Sequence, residues 1–185
     1  MKTCQLSFRP AAVEDFVACL AIDHSYQTNR IWQMVVSQPP ANQPIETIGV
    51  RFQTLRLPKT TTIPYPHDQE ELPKRWWRAD WFLVGEQQEQ IHAYATATLE
   101  ALRPAAWISD LAVAPSQRRQ GHGSQLIAAA VHWARQENIR HLLAALPMKN
   151  DPAMTFLRKN GFFFCGYNEA HFKQHDIELY FCLKL

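Results

Sequence analysis

The chain has 185 residues, of which 46% are hydrophobic and 19% charged, with a formal net charge of +2. We therefore expect one globular domain over residues 1–185, and the small charge does not indicate nucleic-acid binding, which needs a clustered basic face. No apolar run approaches the roughly 18 residues of a membrane span and no signal-peptide core is visible, so we expect a cytoplasmic protein without membrane contact.

In the first half of the chain, short elements alternate with loops. Apolar residues three and four positions apart predict a helix over 13–22, and alternation predicts a strand from Ile48 to Leu55. The remaining predictions are a strand ending near Arg9, a second short helix over 25–34, an extended Thr- and Pro-rich connection over 58–66 and a short helix over 70–78.

The second half has stronger patterns. An antiparallel pair is predicted at 81–84 and 91–99, followed by a strand over 106–114, a helix over 124–137 and a buried strand over 141–146. A helix over 152–160 follows, with Asp151 as N-cap and Gly161 as its stop, and the last strands are 162–167 and 177–183. This order predicts an α/β (α+β) fold with a mixed sheet flanked by helices.

The most informative segment is 117–123, Gln-Arg-Arg-Gln-Gly-His-Gly, which we call the glycine turn. Glycine lets the backbone approach a ligand, and the amide groups that open a helix attract phosphate oxygens. The turn therefore predicts a site for a diphosphate-bearing cofactor. We expect His122, between the two glycines, to point outward as a spacer. A dinucleotide fold is not indicated, because Leu126 stands where a third glycine is needed.

Two motifs identify a family. Asp110–Pro115 followed by Arg118-x-x-Gly121-x-Gly123 resembles the signature of the GNAT superfamily of N-acetyltransferases, and Asn150-x-x-Ala153-x-x-Phe156 with Lys159-x-Gly161-Phe162 is similar to its second cofactor-binding helix. The resemblance implies a mixed, mostly antiparallel central sheet with a CoA-binding core at about 81–165. Residues 26–34, 52–66 and 166–168 also resemble streptothricin-type antibiotic acetyltransferases.

The resemblance implies acetyl-CoA as the acyl donor. The backbone of the strand before the glycine turn would pair with the pantetheine arm, the turn would hold the pyrophosphate, and the second helix would complete the site. The residues implied are Leu111, Ala112, Val113, Arg118, Arg119, Gln120, Gly121, His122, Gly123, Ser124, Asn150, Ala153 and Phe156.

The acid and base that this family often carries are absent from their usual positions. Leu157 stands where a proton-donating Tyr is common, and Ser109 and Ala145 stand where a Glu is common. Asp110 and Tyr167 are the candidate catalytic residues. Alternation places Asp110 on one strand face with Ile108 and Ala112. Both candidates also have a structural interpretation: Asp110 as a hydrogen-bonding group within the sheet, and Tyr167 as a half-buried strand aromatic.

These observations predict an acetyl-CoA-dependent N-acetyltransferase that acts by direct attack of a primary amine. The acceptor is a small molecule, for example an aminated antibiotic, or a protein or peptide amine. A non-catalytic acyl-CoA-binding or regulatory module and a nucleotide-binding protein are the alternatives.

No metal site is expected. The four cysteines (Cys4, Cys19, Cys165 and Cys182) lack metal-ligand spacing and are interpreted as reduced packing residues. The apolar segment 179–185 allows two interpretations, either pairing across a homodimer or lying within one sheet.

Overall fold

The computed structural model describes residues 5–37, 39–40, 42, 48–65, 70–169 and 177–185. In chain order the elements are β1 (Ser7–Pro10), α1 (Asp15–Leu20), β2 (Tyr26–Ser37), β3 (Gly49–Ile63), α2 (Leu72–Trp76), β4 (Trp81–Gln87), β5 (Gln90–Leu99), β6 (Ala105–Val113), α3 (His122–Gln136), β7 (His141–Pro147), α4 (Asp151–Lys159), β8 (Phe163–Asn168) and β9 (Glu178–Lys184).

Seven strands form the main sheet, in the order β1-β4-β5-β6-β7-β9-β8. Neighbours are antiparallel except β6 and β7, which are parallel and joined through α3. One face packs on α3 and α4 in a core that includes Ile127, Met154 and Leu157. The other face packs on α1 and α2 around Cys19, Leu72 and Trp76. The predicted mixed, mostly antiparallel sheet flanked by helices is confirmed.

Strand β9 lies inside this sheet, hydrogen-bonded to β7 on one side and β8 on the other. Of the two interpretations of 179–185, the strand within one sheet is therefore the one observed. Among the described residues, no helix is long and apolar enough to cross a membrane.

The predicted helix over 25–34 is wrong. This segment is β2, which pairs with β3 from Tyr26↔Ile63 to Ser37↔Gly49 in a separate two-stranded arm. The connection predicted over 58–66 belongs largely to the second half of β3. Residues such as Thr28, Ile31 and Val35 favour extended backbone when a partner strand is available, and that partner follows more than ten residues later.

The arm is attached to the main sheet beside α4. Trp32 donates its backbone N–H to the Met148 carbonyl at 3.0 Å and its indole Nε1–H to Asp151 Oδ1, also at 3.0 Å. Phe52 packs against Phe164, with ring centroids 5.3 Å apart. The arm therefore borders the edge strand β8.

A bulge in β6 changes the face that its side chains point to. Thr96 pairs with Asp110 and Ala97 with Ile108, so Ser109 is the extra residue. Ile108 consequently packs in the α3/α4 core, whereas Ala112 packs on the α1/α2 side. The expected common face of Asp110, Ile108 and Ala112 is therefore wrong for Ile108, because strict alternation ignores a bulge.

Helix α4 begins one residue earlier than predicted. Asn150, not Asp151, is the N-cap, and its side-chain oxygen accepts from the Ala153 amide at 3.1 Å. Asp151 is the first helical residue and is bound to Trp32 instead. Gly161 stops the helix as predicted, with φ of +87°.

Candidate active site

The centre of the site is a fork between β6 and β7. The two strands pair from Ala105↔His141 to Ile108↔Ala144 and then separate. Beyond that point β6 stays with β5 as far as Val113, and β7 stays with β9 as far as Pro147. Between residues 109 and 113, one edge of β6 therefore has no strand partner among the described residues. Such an edge offers backbone amides to an extended ligand.

We call residues 109–113 of β6, beyond its last pair with β7, the β6 arm of the fork. The glycine turn follows this arm in the chain. Gly121 is the N-cap of α3 with φ of +91°, and Arg119 also has a positive φ of +65°. A Cβ built on Gly121 would meet no atom of the described residues within 4 Å. The turn therefore leaves open space in front of the first amides of a 15-residue helix, where phosphate oxygens bind favourably.

The two cofactor motifs meet in space. A Cβ on Gly123 would lie 3.1 Å from two ring atoms of Phe156 and 3.9 Å from a methyl carbon of Leu111. Any larger residue at 123 would need the Phe156 ring to move by a few tenths of an ångström. Three residues predicted to bind the cofactor therefore lie next to one another: Gly123 is adjacent to both Phe156 and Leu111.

Arg118 makes contacts inside the protein. Its Nε donates to the Val113 carbonyl at 2.8 Å, Nη1 to the Ser25 carbonyl at 2.9 Å and Nη2 to the Asp23 carbonyl at 2.6 Å. The guanidinium thus holds the end of β6 to the loop after α1. Arg119 and Gln120 are exposed beside the open space of the turn.

The expectation that His122 points outward is wrong. Its side chain is buried, and Nδ1 lies 3.3 Å from Gln125 Oε1. His122 is the first residue of α3, one turn before buried Leu126, so it lies on the helix face that packs on the sheet. A glycine on each side hid this periodicity in the sequence.

Asp110 is buried on the α1/α2 face of the β6 arm, directly after the bulge. The Tyr65 hydroxyl donates to Oδ1, the Thr96 hydroxyl lies 3.4 Å from Oδ2, and Arg75 Nη2 lies 3.9 Å from Oδ2. Burial raises the pKa of Asp110 above its ordinary value of 3.8, and Arg75 and the two hydroxyl groups act in the opposite direction. Arg75 also donates to the Ser109 carbonyl at 3.0 Å, which fixes the bulge.

A histidine and a second tyrosine extend this cluster. His24 Nε2 lies 2.7 Å from the Tyr94 hydroxyl, and the His24 ring packs on Tyr65 with centroids 4.9 Å apart. Burial lowers the pKa of His24 and raises that of Tyr65. The imidazole is therefore neutral at pH 7, and the Tyr65 phenol keeps its proton. We call His24, Tyr65, Arg75, Tyr94 and Asp110 the polar cluster.

Sequence reasoning found only Asp110 among these five residues. The others lie between 16 and 86 positions before it in the chain and share no motif with it. The only local signal is the occurrence of polar residues in otherwise apolar strands, as at Tyr94 and Thr96.

Tyr167 does not join the polar cluster. It pairs with Leu179, whose side chain is in the α3/α4 core, and its ring packs on Phe52 with centroids 5.4 Å apart. It therefore points to the face opposite Asp110. Leu157 is a buried core residue, as its apolar side chain requires.

Strand β9, which pairs with β7, carries a second polar group that sequence reasoning also missed. Tyr180 pairs with Ala145, and Glu178 pairs with Pro147. Both alternate with Leu179 and Phe181 of the α3/α4 core, so they share the face of Asp110. Burial and Glu178 raise the pKa of Tyr180, whereas a hydrogen bond with Asn168 lowers it.

No group of three or more His, Cys, Asp or Glu side chains within the described ranges is arranged to hold a metal ion. Cys19, Cys165 and Cys182 are free thiols. Cys4 lies outside the described residues.

The model of the acetyltransferase (GNAT) family matches residues 51–162, more than half of the chain. The chain belongs to the GNAT family. Proteins of this family use acetyl-CoA, in agreement with the predicted cofactor.

Individual relatives point to one subgroup. A streptothricin acetyltransferase from Streptomyces lavendulae is 34% identical over 77 residues, which are 42% of this chain and 41% of that protein. The chain thus spans less than half the length of this curated relative. The predicted likeness to streptothricin-type enzymes is confirmed at the level of sequence similarity.

Solved structures share the fold over almost the whole chain. Nourseothricin acetyltransferase superposes with a TM-score of 0.79 at 19% identity, covering 97% of this chain and 98% of that one. A protein assigned as a streptothricin acetyltransferase in Bacillus anthracis str. Ames, solved in complex with acetyl coenzyme A, gives 0.76 at 20% identity, with the same coverage of both chains.

Proposed function

We propose that the protein is an acetyl-CoA-dependent N-acetyltransferase of a primary amine. The observation that carries this proposal is the fork of β6 and β7 ending at the glycine turn, with Phe156 packed on Gly123. An exposed strand edge suits the amide groups of a pantetheine arm, and a helix N-terminus suits a pyrophosphate. The open edge of β6 and the N-terminus of α3 follow each other in the chain, as the pantetheine arm and the pyrophosphate follow each other in the cofactor.

The residues present fit this cofactor. The backbone of Leu111, Ala112 and Val113 would pair with its arm, and the amides of the turn from Arg119 to Ser124 would hold its phosphates. Bound there, the cofactor would supply the acetyl thioester from which the acetyl group is transferred. The amides of the β6 arm near Val113 would stabilise the oxygen that becomes negatively charged during transfer.

The acceptor amine needs a proton acceptor, because an alkyl ammonium is not a nucleophile and its ordinary pKa is about 10.4. We assign this role to Asp110 acting through Tyr65. The ammonium would first lose one proton to solvent. When the neutral amine attacks the acetyl carbon, its second proton would pass to the Tyr65 oxygen, and the CoA thiolate would leave with the electron pair of the carbon–sulfur bond and take up a proton from solvent. The Tyr65 proton then passes to Asp110 Oδ1, to which that hydroxyl already donates. Burial favours the protonated carboxyl that results.

The relatives support one class of acceptor. The S. lavendulae relative, with the two solved structures that share the fold end to end, supports a streptothricin-type aminated antibiotic as the acceptor. Glu178, on β9 beside the end of β7, adds a buried carboxylate to the same sheet face as Asp110. Two carboxylates on this face favour a cationic acceptor.

Release of CoA thiol from acetyl-CoA tests the function. We expect release with streptothricin and less with simple alkyl amines or a lysine peptide, each measured against buffer. Calorimetry with CoA in the same preparation establishes that the protein is folded and binds cofactor. If CoA binds and no amine gives release above buffer, the protein is an acyl-CoA-binding module and the proposal is overturned.

A further inference from the structure

The Arg118 guanidinium bonds both to the end of the β6 arm and to the loop that carries His24. We call the glycine turn with the second helix motif the cofactor side of the fork, and the polar cluster the acceptor side. Arg118 lies in the glycine turn, three residues before Gly121, yet its side chain makes all its observed hydrogen bonds to backbone carbonyls elsewhere. One of these, Val113, ends the β6 arm. The other two, Asp23 and Ser25, lie on either side of His24 in the chain.

The Asp23–Ser25 segment is held tightly by these bonds. Asp23 Oδ1 accepts from the Ser25 amide at 2.9 Å, closing a local turn. Arg118 then binds the Asp23 carbonyl at 2.6 Å and the Ser25 carbonyl at 2.9 Å. Because a planar guanidinium offers five donors in fixed directions, it can bind all three carbonyls at once, which an ammonium cannot match in geometry.

His24 links the Asp23–Ser25 segment to the rest of the polar cluster. Its backbone lies between the two carbonyls that Arg118 binds, and its ring is 2.7 Å from the Tyr94 hydroxyl and packed on Tyr65. Tyr65 in turn donates to Asp110. A continuous path of contacts thus leads from the glycine turn to the carboxylate that we assign as proton acceptor.

We propose that Arg118 is a positioning residue that couples the glycine turn to the acceptor side, so that cofactor binding orders His24, Tyr65 and Asp110 for the amine. This inference rests on the proposed function for its kinetic consequences, although the coupling itself needs no turnover. Arg118 does not touch the reacting atoms. It acts through the Asp23–Ser25 segment.

Arg119 is the matched control, since it has the same charge, is the next residue in the chain and is exposed beside the open space of the turn. We expect Arg118→Lys to lower kcat/KM for streptothricin by about tenfold, the loss expected for one charge-assisted hydrogen bond. The Kd for CoA should change much less. Arg119→Gln should do the reverse, weakening CoA binding while leaving the KM for the amine near the wild-type value.

Two further variants distinguish coupling from general damage. Tyr94→Phe removes only the hydroxyl next to His24, and it should reduce kcat/KM for the amine without adding to the effect of Arg118→Lys in the double variant. Two independent structural defects would instead multiply. The proposal would be overturned if the two single-variant effects on kcat/KM multiplied in the double variant. It would also be overturned if Arg118→Lys and Arg119→Gln lost equal CoA affinity.

Hydrogen–deuterium exchange separates this inference from the proposed function. Saturating CoA should slow amide exchange in residues 22–26 of the wild type and of Arg119→Gln, but not of Arg118→Lys, with thermal unfolding showing that each variant is folded. Equal protection in Arg118→Lys and the wild type refutes the coupling, even where the enzyme turns over. Absence of turnover with the protection pattern intact refutes the enzyme function alone.

Discussion

The proposed cofactor side of the fork lies in two short chain segments. One runs from Leu111 through the glycine turn to Ser124, and the other runs from Asn150, the N-cap of α4, to Phe156. The acceptor side combines His24, Tyr65, Arg75, Tyr94 and Asp110 from five different parts of the chain. The first is proposed to bind the cofactor by backbone amides and close approach, which need glycine at fixed spacing. The second is proposed to act through buried side chains, and burial shifts the pKa values of His24, Tyr65 and Asp110. Mutations on the two sides should therefore affect different kinetic quantities.

The largest effect is expected from Asp110→Asn. It keeps the size of the side chain and removes the proton acceptor, so kcat should fall by about 10²–10⁴, the usual contribution of general base catalysis. The Kd for CoA, measured by calorimetry, should stay within about twofold of the wild-type value. Tyr65→Phe should lower kcat too, because the relay then lacks its hydroxyl. Unchanged kcat in both variants would limit Asp110 to a structural role.

Gly123→Ala tests the cofactor side. The new Cβ would lie 3.1 Å from the Phe156 ring, so the ring must move by a few tenths of an ångström. Overpacking of this kind typically costs about 1–3 kcal/mol, and we expect the Kd for CoA to rise about tenfold with a smaller change in the KM for the amine. Phe156→Leu in the same chain should restore part of the affinity. Gly49→Ala, where a Cβ has only ordinary contacts beyond 3.7 Å, is the control.

The pH profile of kcat/KM gives a smaller but sharper test. Asp110 must be ionised to accept a proton, and burial raises its pKa, so activity should be lost as the pH falls through a value above 3.8. Arg75 lowers this pKa, so Arg75→Gln should move the acid limb to higher pH. Lys74→Gln, on the same helix but paired with Glu71 at the surface, should leave the limb in place. A limb that moves equally in both variants would reflect net charge alone.

Asn150 is expected to have the smallest effect, and it separates capping from cofactor binding. Asn150→Ala removes the N-cap of α4 and should lower the free energy of unfolding by about 1 kcal/mol, measured by denaturant melts without CoA. Asn150→Ser retains a capping oxygen and should restore this stability. If Asn150→Ser nevertheless binds CoA more weakly than the wild type, the side chain also contacts the cofactor. Equal CoA affinity would restrict Asn150 to capping.

The sequence by itself determined the parts of this protein that depend on local conformation. Three features are constraints between neighbours in the chain and are visible in residue order: a turn that needs positive φ at Gly121, a helix that must stop at Gly161 and a strand that leads into the glycine turn. The fold class and the family followed from the same motifs.

The tertiary structure alone decided the rest. The segment 26–37 became a strand because β3 was available to pair with it, and Ile108 turned away from Asp110 because one extra residue bulged at Ser109. His122 was buried because α3 packs on the sheet, and Arg118 found its carbonyl partners at Asp23 and Ser25, more than 90 residues earlier. The polar cluster forms only in the folded chain, where residues distant in sequence are buried together and replace hydrogen bonds to water with hydrogen bonds to one another. No local sequence pattern indicates which distant residues will meet. The glycine turn could therefore be predicted from the sequence, whereas most of the acceptor side could not.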